Sequence, residues 1–145
     1  MSLLLAVVAV LAGLFGADDR DAACLILAGL DQERAAAYAL VDPGRLRQVY
    51  SPASVAADDR AVIESYRRRG ARVAGAVMHR ISCAVAARTP DRIDLDVVDQ
   101  LGPAVAISRQ GRIRLLPRDG PTRHGITLIR TGAGWRIAAV TVSGT

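Results

Sequence analysis

The chain has 145 residues, a length that allows one domain with a substantial apolar core and little more. Its formal net charge is +5, and all 19 of its basic residues are arginine. Aromatic residues make up only 3% of the chain, so few rings are available to stack on bases, and we expect no nucleic-acid partner.

Residues 3–17 form an uncharged and almost wholly apolar segment that ends at Asp18. The segment is shorter than the roughly 20 residues that a membrane-spanning helix needs. It also lacks the preceding basic residues that a signal peptide normally has. We predict that residues 1–17 are a membrane anchor with its upstream part missing. A cleaved signal and a buried helix are the alternatives. Residues 18–145 are predicted to form a single domain outside the cytoplasm, anchored to the cell membrane or secreted.

A first helix is predicted over residues 19–41, because apolar residues recur at helical spacing there. Its apolar stripe consists of Ile26, Leu30, Ala37, Leu40 and Val41, with Asp31, Gln32 and Arg34 near the opposite side. Asp42 and Pro43 end this helix and start a short one that reaches residue 49, since Asp is a good N-cap and Pro a good first helical residue.

A third helix is predicted over residues 55–69, with Val55, Val62, Ile63 and Tyr66 facing inward. Asp58 and Asp59 lie in its early turns, where the helix dipole favours negative charge. Gly70 is its predicted stop. Three helices therefore precede all the strands.

Residues 72–101 are predicted to form two strand-like runs joined by a turn at residues 88–91. The apolar face of the first run contains Val73, Gly75, Val77, His79, Ile81, Cys83, Val85 and Ala87. The apolar face of the second run contains Ile93, Leu95, Val97, Asp99 and Leu101. This alternation is typical of a sheet with one covered side.

Four further strands are predicted over residues 104–108, 112–116, 122–131 and 135–143. Helices followed by an antiparallel meander indicate an α+β fold, in which the N-terminal helices pack on a strongly curved antiparallel sheet.

The helix order, the Asp42-Pro43 stop and the final Gly134-Trp135-Arg136-Ile137 strand together resemble the nuclear transport factor 2-like superfamily. The resemblance covers residues 19–142 and is closest to membrane-anchored, extracytoplasmic members from high-GC bacteria. It implies a cone whose concave sheet and helices enclose a pocket. Some members are isomerases or dehydratases and others are interaction modules, so the resemblance leaves the function open.

Asp99, His79 and Tyr38 are the candidate catalytic residues. If the turn centres near Pro90, Asp99 lies opposite Ile81 and diagonal to His79 on the same face. An imidazole beside a buried carboxylate suits acid–base chemistry, and the Tyr38 hydroxyl can donate to a developing oxyanion. The favoured interpretation is structural: His79 and Asp99 form hydrogen bonds with each other or with the backbone, as buried polar groups require. A register change of one residue would separate the pair.

Other polar residues give no further site. Tyr50 and Tyr66 are predicted to fill gaps between helices and sheet, with their hydroxyls reaching water. His124 begins a strand, and nothing marks it as a ligand. The two histidines have no suitably spaced Cys, His or Glu partners, so no metal site and no cofactor are expected.

The two cysteines, Cys24 and Cys83, leave two alternatives open. Outside the cytoplasm they could form a disulfide that closes a loop of about 60 residues. We favour two separate buried thiols over this disulfide.

Arginines cluster at residues 67–69 and 72 and recur singly between residues 109 and 136. We interpret them as a helix C-terminus favoured by the macrodipole and as the solvated side of a sheet.

The leading functional hypothesis is a non-catalytic accessory domain that is tethered to a membrane through residues 3–17. It binds another protein or its own copy through the sheet. The alternatives are a small-pocket acid–base enzyme of the isomerase or dehydratase type and a carrier for a small apolar ligand. The size of the pocket discriminates between them.

Overall fold

The computed structural model describes residues 22–143 of the chain. The first predicted helix occupies residues 22–40 and is named α1. The apolar segment at residues 3–17 lies outside the described residues, so its role as anchor or signal stays a prediction. Within residues 22–143, no helix combines the length and the apolar character needed to cross a membrane.

Two 3-10 helices and a second α-helix follow α1. The 3-10 helices cover Pro43–Gln48 and Ala53–Ala56, and α2 covers Ala57–Arg68. Asp42 caps the first of them as predicted, because its side chain accepts a backbone N–H at 3.0 Å. The chain leaves α2 through Gly70, whose φ of +64° is the left-handed conformation that glycine adopts at helix ends.

The part of the chain that the structure describes has seven strands, which form two antiparallel sheets. The strands are β1 Ala71–Ala74, β2 Met78–Thr89, β3 Arg92–Leu101, β4 Val105–Ser108, β5 Ile113–Leu115, β6 Thr122–Thr131 and β7 Gly134–Val142. The larger sheet has the order β2-β3-β6-β7 and the smaller sheet the order β1-β4-β5.

The first strand-like run, predicted as one unit, is therefore divided between the two sheets. The break occurs at Gly75, which has a φ of +79°. A Cβ at this position would lie 2.7 Å from the carbonyl oxygen of Pro103. Only glycine fits this close backbone approach, and it ends β1 before β2 begins.

The pairing of β2 with β3 contains two irregularities, between Arg80 and Ser82 and between Val85 and Ala87. A β-bulge adds one residue to one strand and so moves the following side chains to the other face. As a result Asp99 lies opposite Arg80, and His79 lies opposite Gln100. His79 is exposed, whereas Asp99 is buried. The prediction that His79 and Asp99 share the inward face is wrong.

The main core lies between α1 and the concave face of the larger sheet. Its buried members are Ala23, Leu27, Leu30, Val49, Ile93, Leu95, Val97, Ile126, Leu128 and Ile137. A second core cluster joins α2, the end of α1 and the smaller sheet around Leu46, Ile63 and Val73. The predicted α+β arrangement, with N-terminal helices packed on a curved antiparallel sheet, is confirmed.

A disulfide joins Cys24 of α1 to Cys83 of β2, with a Cα–Cα distance of 6.3 Å. The favoured prediction of two separate thiols is therefore wrong. Cys83 follows the bulge at Ile81, which returns its side chain to the inward face where α1 lies. The bond ties the start of α1 to an edge strand of the larger sheet.

Candidate functional site

A cavity of about 180 Å³ lies between α1 and the concave face of the larger sheet. Apolar side chains, including Leu27, Ile126 and Ile137, form part of its wall. Its polar lining consists of Asp31, Arg34, Tyr50, Arg80, Asp99 and His124. The cavity therefore combines an apolar wall with several ionisable side chains.

Asp99 and His124 face each other across neighbouring strands. His124 lies opposite Val97 in the pairing of β3 with β6, so it is diagonal to Asp99 on the inward face. Its Nε2 lies 3.0 Å from Oδ1 of Asp99, but the two groups are not aligned as a hydrogen bond. Asp99 is only 4% exposed. An imidazole therefore lies beside the buried Asp99 carboxylate, as predicted, but it belongs to His124 and not to His79.

Three buried polar atoms of the cavity lining have no hydrogen-bond partner among residues 22–143. They are Nε of Arg80, Oδ1 of Asp99 and Nδ1 of His124. Because buried polar atoms are normally paired, this wall of the cavity has unused capacity to bind a polar group.

Asp31 is a second buried carboxyl in the cavity lining. Its Oδ2 accepts the backbone N–H of Met78 at 2.9 Å. Burial raises the pKa of Asp31, and this effect exceeds the lowering by the Met78 N–H and by the charges of Arg34 and Arg80. The prediction that Asp31 and Arg34 lie near the polar side of α1 is wrong, because α1 is enclosed on more than one side.

Asp59 is the centre of a separate polar cluster beside the cavity. Its carboxylate accepts Nε and Nη2 of Arg34, both at 2.7 Å. It also accepts the hydroxyls of Tyr38 and Tyr50, both at 2.6 Å. Four charge-assisted hydrogen bonds therefore satisfy one carboxylate.

The ionisation of the Asp59 cluster follows from these contacts. Burial acts to raise the pKa of Asp59, but the hydrogen bonds and charge of Arg34, with the two tyrosine hydroxyls, bring it below its usual range. Burial and the neighbouring Asp59 carboxylate raise the pKa of Tyr38 and of Tyr50. At neutral pH the cluster is one ion pair with two neutral phenols.

The structure brings together only part of the predicted site. Asp99 lines the cavity, but His79 does not, and Tyr38 donates its hydroxyl to Asp59 rather than into the cavity. The hydroxyl of Tyr50 also binds Asp59, so the expectation that it reaches water is wrong.

Sequence reasoning missed His124 and Asp59. A signal for His124 existed, because the period-two row of β6 that contains Ile126 and Leu128 begins at His124. Asp59 gave no comparable signal, since a carboxylate in the first turn of a helix is ordinary.

The part of the chain that the structure describes contains no group of three or more His, Cys, Asp or Glu side chains able to hold a metal ion.

Comparison with known proteins identifies the fold but not a family. No protein-family model and no curated protein matches the chain. The intermembrane space region of the chloroplast protein ARC6 superposes with a TM-score of 0.57 at 9% identity, covering 87% of this chain and 97% of that one. The Kfla4162 protein from Kribbella flavida superposes with a TM-score of 0.52 at 17% identity, covering 88% and 91%.

The association domain of C. elegans CaMKII superposes with a TM-score of 0.51 at 11% identity, covering 88% of this chain and 99% of that one. At these identities the likeness shows the fold alone. These structures share the α+β fold of this chain, with N-terminal helices packed on a curved antiparallel sheet. This is the fold that the sequence resemblance to the nuclear transport factor 2-like superfamily implied.

Proposed function

We propose that this chain is a non-catalytic interaction domain that acts outside the cytoplasm. In this proposal residues 3–17 tether the domain to the membrane, and the sheet binds another protein or a second copy of the chain.

The size of the cone cavity is the observation that carries the proposal. Its volume is about 180 Å³, whereas ligand pockets usually have volumes of roughly 300 to 1,000 Å³. Beside it, Asp59 has its hydrogen-bonding capacity taken up by Arg34, Tyr38 and Tyr50. The interior thus has room for a very small ligand at most.

The outer face of the larger sheet, by contrast, is open to a partner. No described helix covers it, and several of its residues are small: Ala84, Ala87, Gly125 and Ala139. Arg123 binds Asp96 and Arg92 binds Asp94, so the charges on this face are paired within the sheet. A face with small side chains and internally paired charges suits contact with another protein surface.

The disulfide between Cys24 and Cys83 supports an extracytoplasmic location, because structural disulfides persist in oxidising compartments. The apolar residues 3–17 precede the domain directly. A membrane anchor and an oxidised domain agree with a position at the outer face of a membrane.

The fold is compatible with this role, since one of the structures that shares it is described as an association domain. That description belongs to the CaMKII protein. It supports the proposal only by showing that such a cone can serve association.

Cross-linking in intact cells that express the full chain tests the proposal. We expect the chain to cross-link to another protein or to itself, and the Asp99→Asn and His124→Gln variants to do so equally. A small molecule that co-purifies with the parent chain and is lost from Asp99→Asn would contradict the interaction role. A fusion to alkaline phosphatase, which is active only outside the cytoplasm, tests the location.

A second candidate function is supported by the unpartnered atoms of Arg80, Asp99 and His124. In this reading the cavity holds a small ligand, either as a carrier or as an isomerase or dehydratase type of enzyme. Asp99 and His124 then act as base and acid, at a distance of 3.0 Å that permits proton exchange through small movements.

Native mass spectrometry of the purified chain, followed by turnover assays on any trapped ligand, discriminates between these readings. Asp99→Asn should abolish turnover without changing the melting temperature if the cavity is catalytic. Retained ligand without turnover would indicate a carrier.

A further inference from the structure

β5 is an edge strand of the smaller sheet. Within the described part of the chain, β5 pairs only with β4, and all three of its residues are exposed. Ile113 and Leu115 have exposed fractions of 69% and 65%. An unpaired edge with exposed apolar side chains is a template for an additional strand.

The register of β4 and β5 determines which backbone groups of β5 are free. The N–H of Leu116 donates to the carbonyl oxygen of Ala104 at 2.9 Å. Hydrogen-bonded positions alternate along an antiparallel pair, so the N–H and C=O groups of Ile113 and Leu115 point away from β4. The open side therefore presents two donors and two acceptors with the spacing of a strand.

Four arginines surround this edge, and we name β5 together with them the arginine edge. They are Arg72, Arg109, Arg112 and Arg114. None of their side chains has a hydrogen bond or ion pair with another residue in the range 22–143. Elsewhere in the domain Arg34, Arg92 and Arg123 bind carboxylates. Four arginines without a carboxylate partner among the described residues therefore lie together around β5.

Two hollows flank β4 at the arginine edge. The first has a volume of about 530 Å³ and is lined by Arg67, Arg72 and Arg109 among others. The second has a volume of about 430 Å³ and is lined by Arg69, Arg112 and Arg114 among others. No acidic side chain of the described residues lines either hollow.

Gly70 shapes the first hollow. A Cβ on Gly70 would lie 2.7 Å from Nε of Arg109, so the Arg109 side chain lies directly over the glycine. The glycine that ends α2 thereby holds one guanidinium beside the open sheet.

The positive charge and the position of the arginine edge limit the class of partner that it can bind. A second copy pairing two-fold at this edge would bring the same unpaired arginines together, which is unfavourable. Val41, at the end of α1, lines the first hollow, whereas residues 1–21 join the domain at the other end of α1, about 28 Å away for its 19 residues. The arginine edge therefore lies near the end of α1 that is opposite the N-terminal segment.

We propose that the arginine edge binds an acidic, extended polypeptide segment of a partner protein as an added strand. Alternate residues of β5 face opposite sides of the sheet. Arg112 and Arg114 therefore select acidic residues on one face of the added strand, and Ile113 and Leu115 select apolar residues on the other. The inference rests on the proposed interaction role. It adds a contact surface that is distinct from the outer face of the larger sheet, together with the class of partner that this surface binds.

The probe is a fluorescent peptide of about eight alternating glutamate and valine residues. Fluorescence anisotropy measures its binding to the full chain in non-ionic detergent. We expect saturable binding that weakens as salt rises. The same peptide with alternate backbone nitrogens methylated keeps its charge but loses its edge donors, and we expect it not to bind.

The Arg112→Gln/Arg114→Gln variant should weaken peptide binding by about tenfold or more. The matched control is Arg60→Gln/Arg118→Gln, which removes the same charge from exposed arginines that no acidic residue in the described range binds. This control should change the dissociation constant by about twofold or less, through screened long-range attraction alone. Melting temperatures of both variants establish that they remain folded.

Equal binding of the methylated peptide, or equal effects of the two double variants, would overturn the added strand. So would a parent chain that ignores the peptide but binds phosphatidylglycerol vesicles or an oligothymidine through the same arginines. If the edge fails while cellular cross-links to a protein persist in Arg112→Gln/Arg114→Gln, the interaction role stands and only the surface is wrong. If the parent chain forms no cross-link to any protein in cells, the proposed interaction role is wrong.

Discussion

Asp59 on α2 is a partly buried carboxyl and Asp99 on β3 is a buried one, and their surroundings differ. Asp59 accepts four hydrogen bonds, from Arg34, Tyr38 and Tyr50. Asp99 faces His124 at 3.0 Å and has an Oδ1 without an aligned donor. The first carboxylate fastens α1, α2 and the intervening 3-10 segment together, whereas the second lines a cavity.

The difference shows how two similar residues serve stability and binding. A saturated carboxylate has nothing left to offer a ligand, so its cost of burial is offset within the fold. An unsaturated one contributes less to stability and keeps an acceptor for another molecule. Variants at these carboxyls and at their neighbours test this contrast.

Asp59→Asn should cause the largest loss, about 3 kcal/mol of unfolding free energy, because it leaves the mostly buried Arg34 without its counter-charge. Urea unfolding at pH 7 measures this loss. The stability that Asp59 supplies is present above its unfolded pKa and is lost as the pH falls through its lower folded pKa. Asp58→Asn, at the exposed neighbouring position, is the control and should cost about 0.5 kcal/mol. Equal losses of unfolding free energy in the two variants would contradict the stabilising role of the Asp59 cluster.

Tyr38→Phe and Tyr50→Phe should each lower the unfolding free energy by about 1.5 kcal/mol, because each removes a hydrogen bond to a charged acceptor. The double variant should depart from additivity, since both hydroxyls bind one carboxylate. Tyr66→Phe is the control, because the structure gives its hydroxyl no hydrogen bond to another described residue. A negligible effect at Tyr50 would show that its hydroxyl is free for the cavity.

Asp31→Asn should change the pH dependence of stability. The pKa of Asp31 is raised in the folded state, mainly by burial, so the native state holds the proton more tightly than the unfolded chain. Stability therefore falls as the pH rises from the unfolded pKa through the folded one. The amide keeps an acceptor for the Met78 N–H and removes this fall. Thermal melts between pH 3 and pH 8 should show the melting temperature of the variant increasing relative to that of the parent chain as the pH rises. Two parallel curves of melting temperature against pH would contradict this prediction.

Asp99→Asn should have the smallest effect, within about 0.5 kcal/mol, because no aligned hydrogen bond is lost. Urea unfolding of this variant beside Asp59→Asn gives the direct comparison. A loss as large as that at Asp59 would mean that Asp99 is a saturated structural group, and the cavity would then lose its main candidate for ligand binding.

Much of the fold follows from local sequence signals. The Asp42-Pro43 boundary, the stop at Gly70 and the strand at Thr122–Thr131 were predicted where they occur. These features depend on caps, glycine conformations and alternation, all of which act within a few residues. The inward position of Asp99 was predicted for the same reason.

The site was predicted less well because it depends on register and on distant contacts. The bulge beside Ile81 exchanges the faces of His79 and Arg80, and no residue in that stretch indicates a bulge. The binding of Asp59 to Arg34, 25 residues away, likewise leaves no local pattern.

The sequence by itself determined the class of fold, the order of helices and strands, and the burial of Asp99, because each is set by the periodicity of neighbouring residues. The tertiary structure was needed to show that His124 replaces His79 beside Asp99, that Cys24 meets Cys83, and that four unpaired arginines surround the edge strand β5. These outcomes depend on strand register and on how α1 docks on the sheet. A shift of one residue in pairing changes which side chains meet without changing the local pattern that encodes each strand.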